Sequence, residues 1–416
     1  GNDDDDDLED DLDVLHAYSL ISTTAASGLY EMHPLVQFCT KVWISEFGSP
    51  NQWKTVFLQL ASQHFPSGVF ETQQQCRTLM PHVQPVLDEE PSEESDQLDW
   101  SVLLTNVSWY LLMLGNYSRA EDLAQDAVRI RMERLGEEHP DTLMSMANLA
   151  STYWNQGRWK EAEELEVRVM ETRKTVLGEE HPDTLMSMAN LASTYSDQGR
   201  WKEAEELGVR VIETRKTVLG EEHPDTLMSM ANLASTYWNQ GRWKEAEELD
   251  VQAMETRKRV LGQEHPDTLT SMANLALTYW NQGRWKEAEE LNVRVMETRK
   301  TVLGEEHPST LTSMNNLAST CTNQGRWKEA EELNVRVMET RKKVLGEEHP
   351  DTLMSMHNLA FTWKNQERLE DAIQLLRNCV CLRENVLGVD HLNTMSSALV
   401  LSNWELELRE TSYKFP

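Results

Sequence analysis

Histidine side chains recur along the chain at a fixed spacing, and histidine is a residue type that could bind a metal ion or move a proton. The copies stand 42 residues apart: His139, His181, His223, His265, His307, His349 and His391. Stacked helices lie about 8–10 Å apart, so the ring nitrogens of neighbouring copies would be too distant to share one ion. We therefore interpret these histidines as helix-entry residues, and we predict no metal site.

The other residue types that carry catalysis give no indication of an enzyme. We interpret Glu161, Glu163 and Glu164, which recur in the copies, as a solvated helix face rather than a catalytic carboxylate pair. The chain has no GxxxxGK[ST] loop that could hold nucleotide phosphates. No Ser-His-Asp or Cys-His set stands apart from the repeats, so we predict no catalytic residues and no cofactor.

An asparagine holds the same place in every copy, and it favours binding rather than catalysis. A side-chain amide has two donors and an acceptor, so a ladder of amides could hydrogen-bond the backbone of an extended peptide of any sequence. The alternative is that each asparagine bonds the adjacent helix and only locks the stack. The ladder residues that we predict to contact a partner are Asn148, Asn190, Asn232, Asn274, Asn316 and Asn358.

Residues that differ between the copies cluster on the same predicted helix face as this asparagine, at spacings of three and four. The expected partner-contacting members are Met144, Met186, Met228, Ser151, Ser193, Ser235, Leu277, Trp154, Trp238 and Trp280. Tryptophan is a frequent interface anchor. Neutral drift would instead scatter substitutions over the opposite side, where only two positions vary much. The first of these two positions, which we also expect on the outer side, is occupied in successive copies by Glu166, Gly208, Asp250, Asn292 and Asn334.

Each 42-residue copy predicts two helices, which must position these residues. In the first clear copy, Pro140 sits at the first helical position, where a missing N–H costs nothing, and Gly157 ends the helix. A second helix runs from near Trp159 to Leu177. The tryptophan at its start is expected to pack between helices, and it recurs as Trp201, Trp243, Trp285 and Trp327. A unit of this length cannot bury its apolar face alone, so the copies must stack as a solenoid.

The pattern LGEEHPDT…NLA…Y…G…EAE resembles the tetratricopeptide repeat, and in particular the 42-residue subclass of the kinesin light chain. The resemblance implies an all-α fold, a right-handed superhelical solenoid whose first helices line a concave groove and whose second helices lie outside. In related arrays the matching asparagine binds a peptide backbone. Seven repeats are predicted over residues 97–391, followed by a C-terminal capping helix and tail, residues 392–416.

The residues before the repeats predict different structures. Residues 1–13 carry a run of aspartates that should repel one another, so they are predicted to be a disordered acidic lead. Residues 14–87 are interpreted as a small module in which residues 15–21 and 29–33 form a hairpin and Pro34 opens a helix. The letters YEMHPLVQ resemble the winged-helix and linker end of the NLR-like STAND proteins of fungi, and a helical cap is the alternative. Residues 88–96 are predicted to be a linker.

The charge balance and the cysteines limit the class of partner and the compartment. The chain has 70 acidic against 39 basic side chains, a formal net charge of −31, so binding to nucleic acid or anionic lipid is disfavoured. No apolar run approaches the ~20 residues that a membrane span needs, and no signal peptide is recognised. Five cysteines without a CxxC pair favour a reducing compartment. We therefore predict a cytoplasmic protein.

Together these patterns predict a non-catalytic scaffold that binds an extended peptide or a partner protein in the concave groove. By resemblance, it would be the ligand-sensing region of a fungal NLR-like STAND protein. Two alternatives stay open: a cargo or scaffold adaptor like the kinesin light chain, and an accessory fragment of an NTPase whose catalytic domain is absent from this chain. The adaptor family carries a heptad coiled coil before its repeats, and residues 1–96 show no such heptads.

Overall fold

The computed structural model describes residues 15–16, 20–23, 30–32, 36–37, 39–40, 42, 50–68 and 70–414. Backbone contacts divide the chain into two compact units, Gly1–His64 and Phe65–Pro416. The predicted acidic lead, residues 1–13, lies outside the described residues. The domain boundaries proposed at residues 87 and 96 remain predictions.

The first unit contains a short hairpin in its described part. Strand β1, Ile21–Thr23, pairs antiparallel with strand β2, Tyr30–Met32, and the first residue of β1 stands opposite the last of β2. The hairpin agrees with the sequence prediction, but Leu15 and His16 are helical, so the first strand begins later than expected. The β-branched residues of β1 favour a strand more than the Leu-His pair does. Helix α1, Pro50–His64, completes the described part of this unit.

The second unit is built from helices. Helix α2, Gln73–Leu87, follows a 3₁₀ turn, Phe70–Thr72. The next helices form pairs, one pair per repeat: α3 Glu94–Met113 and α4 Tyr117–Leu135; α5 Pro140–Asn155 and α6 Trp159–Leu177; α7 Pro182–Asp197 and α8 Trp201–Val218; α9 Pro224–Asn239 and α10 Trp243–Leu261; α11 Pro266–Asn281 and α12 Trp285–Leu303; α13 Pro308–Asn323 and α14 Trp327–Val344; α15 Pro350–Asn365 and α16 Leu369–Val386. Helix α17, Leu392–Lys414, follows the last pair. The predicted all-α solenoid is confirmed, although α3 begins inside the predicted linker.

The repeat motif sets the start and the end of each first helix. At α5, the Nδ1 atom of His139 accepts a hydrogen bond from the Asp141 N–H at 3.2 Å, and Pro140 holds the first helical position. The same cap begins α7, α9, α11, α13, α15 and α17. The interpretation of the histidines as helix-entry residues is therefore confirmed. Gly157 lies in the turn that ends α5 and has a φ of +74°, a backbone conformation that would be strained in a residue with a side chain.

The apolar core is shared between neighbouring repeats. Leu143, Met146 and Leu149 of α5 pack against Val169 of α6 and also against Val128 of α4, in the preceding repeat. Burial of one such side chain contributes about 2 kcal/mol. No repeat therefore buries its apolar face alone, as expected of a solenoid.

A buried arginine, which the sequence reasoning missed, joins each second helix to the next repeat. Arg215 of α8 is 2% exposed, and its Nη1 donates to the Asp225 carbonyl at 2.9 Å and to Ser229 Oγ at 2.7 Å. Burial lowers the pKa of Arg215 from its ordinary value. The equivalent residues make the same contacts: Arg131, Arg173, Arg257, Arg299, Arg341 and Arg383. Its recurrence at one place in every second helix is the signal that the sequence offers.

The array of repeats contacts itself after 236 residues. We call the turns that follow the first helices the upper rim, and the loops between repeats the lower rim. His349 Nε2, on the lower rim, lies 3.0 Å from Met113 O on the upper rim, and His391 Nε2 lies 3.4 Å from Asn155 O. The separation of 236 residues is about 5.6 periods of 42. One superhelical turn therefore lies directly against the previous one.

Candidate functional site

The candidate site is one face of the first helices, which we call the groove face. In α5 its members are Met144, Ala147, Asn148, Ser151 and Trp154. Met144 is 49% exposed and Trp154 is 40% exposed, and the other three are half-buried. The spacing predicted from the sequence therefore yields one continuous, accessible face on the helix.

The amide groups of the asparagine ladder are mostly without protein partners. Within residues 70–414, the side chains of five members make no hydrogen bond: Asn148, Asn190, Asn232, Asn274 and Asn316. The Asn358 Nδ2 atom donates to Asn315 Oδ1 at 2.8 Å. The alternative that each asparagine locks the stack therefore describes Asn358, while the other five amides are available to a ligand.

Several apolar members of the groove face are exposed, and two of its serine hydroxyls bond their own helix. The exposed apolar members of the next repeats are Met186, Met228 and Leu277, at 38%, 40% and 48%. Ser151 Oγ donates to a carbonyl of its own helix at 3.0 Å, and Ser193 Oγ does the same at 3.2 Å. Ser235 is exposed. The groove face therefore presents mainly apolar surface and unpaired amides.

The tryptophans of the groove face occupy two environments. Trp154 Nε1 donates to Asp197 Oδ2 at 2.7 Å, and burial raises the pKa of the Asp197 carboxyl. Trp238 and Trp280 are half-buried, and their Nε1 atoms have no acceptor in the described part of the chain. Trp154 is therefore the most exposed of the three and the only one of them whose indole N–H bonds a described residue.

The tryptophans that begin the second helices are more exposed than expected. Four of them are 40–42% exposed: Trp201, Trp243, Trp285 and Trp327. The interpretation that they pack between helices therefore overstates their burial in these copies. Helical side chains lean toward the helix N-terminus, so a side chain at the first position extends past the helix start into solvent.

A cavity opens on the groove face between α11 and α13. It has a volume of about 140 Å³, and Leu277, Trp280, Asn316 and Ser319 are among the residues that line it. An apolar cavity of about 150 Å³ can hold a benzene ring. The cavity is therefore large enough for one apolar side chain of a ligand, and the ladder amide of Asn316 stands beside it.

In the last repeat the groove face is filled by the protein itself. His357 and Phe361 replace the alanine and serine of earlier copies, and their rings lie 4.8 Å apart. The Phe361 ring lies 4.9 Å from the ring of Trp404 in α17, and Lys364 Nζ lies 2.6 Å from Glu407 Oε2. Burial lowers the pKa of His357 to about 4. These substitutions fasten α17 to the array and need no ligand to explain them.

One variable position of the second helices lies inside the array rather than on the outer side, where the sequence placed it. Asp250 is 4% exposed, and its Oδ2 accepts a hydrogen bond from Thr278 Oγ of the next repeat at 2.7 Å. Asn334 Nδ2 donates to the equivalent Thr362 Oγ at 2.9 Å. The expectation is wrong because each second helix packs against two first helices, its own and the next, which cover this position.

Two members of this buried set are carboxyl groups. Burial raises the pKa of Glu166 to about 7 and the pKa of Asp250 to about 6. Glu166 Oε2 and the neighbouring Thr194 Oγ have no hydrogen-bond partner among the described residues. A protonated Glu166 would supply a donor at the place where Asn334 uses its amide, so the neutral acid suits this interface better than the carboxylate does.

One glutamate of the predicted solvated face joins two repeats instead. Glu163 accepts hydrogen bonds from Arg200 Nη1 at 2.7 Å and from Gln198 Nε2 at 2.8 Å. Burial opposes ionisation of Glu163, but these hydrogen bonds outweigh it and lower its pKa. Arg200 also stacks on Tyr195, 4.0 Å from the ring centre. The solvated interpretation holds for Glu164, which is exposed.

Two family models match the repeats, and both are described as the tetratricopeptide repeat. One matches residues 102–141, 142–183, 184–225 and 352–393, and the other matches residues 225–301, 274–338 and 309–363. The chain belongs to the tetratricopeptide repeat family. The matched residues run from 102 to 393 and so include every residue of the candidate site.

Several known proteins are similar to this tetratricopeptide repeat array. A protein of the fungus Hyaloscypha variabilis, described as nucleotide-binding leucine-rich repeat (NLR)-like, is 42% identical over 133 residues; the match covers 32% of this chain and only 13% of that protein. A crystal structure from Podospora anserina, described as a kinesin light chain with nearly identical TPR-like repeats, is 36% identical, has a TM-score of 0.42 and covers 50% of this chain and 98% of that one. The quorum sensor NprR of B. thuringiensis is 13% identical, with a TM-score of 0.42, and covers 80% of this chain and 99% of that one.

The tetratricopeptide array has no metal-binding cluster in its described part. No group of three or more His, Cys, Asp or Glu side chains is placed there to hold an ion. Nor does any helix of the described residues have the length and apolar character needed to cross a membrane. The chain is a repeat scaffold of a kind suited to binding proteins or peptides.

Proposed function

We propose that this chain binds an extended peptide, or an extended segment of a partner protein, along the groove face. The proposal rests on the five ladder amides, one per repeat, that make no hydrogen bond within the described array. A ligand that covers such an amide strips it of water, which is unfavourable unless the ligand offers hydrogen-bonding groups in return. A peptide backbone offers a donor and an acceptor at almost every residue.

The spacing of the ladder fits an extended chain. Neighbouring first helices lie about 9 Å apart, and an extended peptide advances about 3.3 Å per residue. Each amide would therefore meet about every third residue of the ligand, and five amides would span about 12 residues. The intervening side chains would face the variable positions of the groove face, which would then set specificity.

The chemistry of the groove face favours a ligand with apolar side chains. From α5 to α13 its members are Met, Thr, Ala, Asn, Ser, Leu and Trp, without a charged residue. The cavity beside Leu277 and Trp280 has room for one large apolar side chain. The proposed ligand is therefore an extended segment with at least one such residue, placed near the ladder amide of Asn316.

We further propose that the chain is the ligand-sensing region of a cytoplasmic NLR-like STAND protein. The resemblance of the residues before the repeats supports this, as does the 42% identity to the Hyaloscypha variabilis protein over 133 residues. Because that match spans 13% of the relative, any nucleotide-dependent activity belongs to this proposal and not to the repeats described above.

The first test is selection of peptides of about 12 residues from a random phage-displayed library on the full chain. Selected peptides are then titrated against the parent and against a variant in which Asn190, Asn232, Asn274 and Asn316 are all Ala. The variant should keep its helical circular dichroism, because these amides make no hydrogen bond with the residues that the structure describes, and should bind at least about tenfold more weakly.

Asn358→Ala is the matched control for this experiment. Its amide already bonds Asn315, so its loss should leave peptide affinity unchanged. Equal affinity of the parent and the fourfold variant would contradict the proposal. Unfolding of the fourfold variant would show instead that the ladder holds the stack together.

A further inference from the structure

The lower-rim histidines occupy two environments. In each copy Nδ1 accepts the capping N–H, so the proton of the neutral ring is on Nε2. The Nε2–H of His349 and of His391 donates to a carbonyl across the rim, and the His307 side chain is only 14% exposed. The earlier copies are 39–40% exposed, with no Nε2 acceptor among the residues that the structure describes: His139, His181, His223 and His265.

The upper rim shows the matching division. The acceptors Met113 O and Asn155 O are carbonyls at the C-terminal ends of first helices, which have no partner within their own helix. Beside them, Gly115 is buried, and a methyl group built on it would overlap the ring of Pro350. The glycines of the later turns are exposed, and a methyl group on them would meet nothing within 4 Å: Gly199, Gly241, Gly283 and Gly325.

We propose that the exposed lower rim of one copy of this chain docks on the exposed upper rim of a second copy, in a head-to-tail assembly. The two surfaces are the ones that already join within the chain, a His-Pro pair against a helix C-terminus and a glycine turn. The unpaired motifs keep the 42-residue spacing of the paired motifs. A second copy can therefore continue the 236-residue relation with no new type of contact.

Helix α17 fixes where the second copy enters. It begins with the same histidine cap as the other first helices and holds the place of an eighth one. The α3 helix of a second copy must therefore follow one repeat later. The rim pairs in that register are His139 with Asn239 O, His181 with Asn281 O, and His223 with Asn323 O.

An exposed core position on α17 fits the same partner. Met395 is 54% exposed, whereas the residue at its place in the six preceding first helices is a leucine that is at most 2% exposed. The leucines are covered by neighbouring helices, and no described helix follows α17. In the proposed register, the N-terminal end of the second copy's array lies against this end and covers Met395.

The charge of the chain predicts how the assembly depends on salt. Each copy has a formal net charge of −31, so two copies repel each other. Salt screens this repulsion, so the assembly should strengthen as ionic strength rises. A contact held by ion pairs would weaken instead, and that result would overturn the proposal.

Sedimentation velocity of the full chain, from about 1 to 200 µM and in about 50 and 500 mM salt, tests the assembly directly. A head-to-tail contact leaves a free rim at each end, so the weight-average mass should pass twice the chain mass without levelling off. A single monomeric species at all concentrations, or a plateau at the dimer, would overturn the proposal.

Changing His139, His181 and His223 all to Asp tests the lower rim. Aspartate keeps a helix cap but places a carboxylate where the rim needs a donor. In about 500 mM salt, where the added charge is screened, association should fall at least about tenfold while the circular dichroism stays unchanged. Undiminished association of this folded variant would overturn the proposal.

Met395→Asp tests the end surface and should weaken association to a similar degree. Leu277→Asp is its matched control, because it makes the same change at a groove-face residue that is 48% exposed. The control should associate like the parent. Loss of association in Leu277→Asp but not in Met395→Asp would place the contact in the groove and overturn the proposal.

Discussion

The middle of the array and its later part carry the same motifs in different surroundings. His181 caps a helix and stays 39% exposed. His349 also caps a helix, but in addition it donates a hydrogen bond to Met113 O on the preceding superhelical turn. The ladder amide of Asn232 bonds nothing in the described array, while that of Asn358 bonds Asn315. The role of a motif in this solenoid therefore depends on whether another part of the array reaches it, and not on its letters alone.

The largest expected effect is a difference in stability between two arginine variants, one at an interface inside the array and one at its last interface. Arg215→Ala removes a buried guanidinium and leaves its acceptors unpaired, so we expect the free energy of unfolding to fall by about 3 kcal/mol. Arg383→Ala makes the same change next to α17, where a solenoid can lose its end without unfolding the rest. Urea unfolding should then shift by less than about 1 kcal/mol, with faster hydrogen exchange confined to α17. Equal shifts in the two variants would show that the array unfolds as one body.

The next effect concerns the rim. Gly115→Ala and Gly199→Ala share nearly the same φ, +77° and +76°, but only the first residue faces a covering ring, that of Pro350. Gly199→Ala should cost about 1 kcal/mol of stability from backbone strain. Gly115→Ala should cost about 2 kcal/mol more, because the two turns must separate. Equal losses, measured by urea unfolding, would contradict the rim contact.

A third prediction concerns the pH dependence of stability at the one interior interface that buries Glu166. The pKa of Glu166 is 4.5 for a free side chain and about 7 in the folded chain, so the folded state binds more protons between these values. The protonated Glu166 side chain therefore contributes stability that is fully present below pH 4.5, and this contribution is lost as the pH rises through about 7. Glu166→Gln should remove this dependence and raise the free energy of unfolding at pH 8 by about 2 kcal/mol. Glu164→Gln, at an exposed site, is the control and should change neither quantity.

The smallest effect distinguishes two tryptophans of the groove face. Trp154→Phe loses the hydrogen bond to Asp197 and should cost about 1 kcal/mol beyond the change in side-chain size. Trp280→Phe loses no hydrogen bond within the described array, because its Nε1 has no acceptor there. Urea unfolding of the two variants, compared with the parent, measures the difference. A larger loss for Trp280→Phe would mean that its indole N–H is paired in solution.

Local features of the fold could be predicted from the sequence because local chemistry sets them. Pro140, the histidine cap and Gly157 fix the ends of a helix by backbone geometry, and the apolar spacing fixes its buried face. The rim contacts could not be predicted. They depend on the small rotation between neighbouring repeats, added over 236 residues, and no local pattern records that rotation.

The candidate site, like the fold, could be predicted from the sequence only in part. The groove-face spacing could be predicted because three-and-four periodicity defines a helix face. The burial of Asp250 could not, because a polar residue at a variable position is typical of a surface. His357 and Phe361 show a second limit: they differ from the other copies on the groove face, as residues that set ligand specificity would, but they contact Ser397 and Trp404 of α17. The binding residues themselves stay a prediction.

The recurrence of the same motifs along each rim also affects how the gene for such an array can evolve. Recombination between near-identical units adds or deletes 42 residues at a time. Most lower-rim loops offer the same His-Pro pair and most upper-rim turns offer the same glycine. An array that is one unit longer or shorter would therefore make its rim contacts through the same chemistry. The length of the groove face is therefore a trait that selection can adjust in whole units, without a new interface each time.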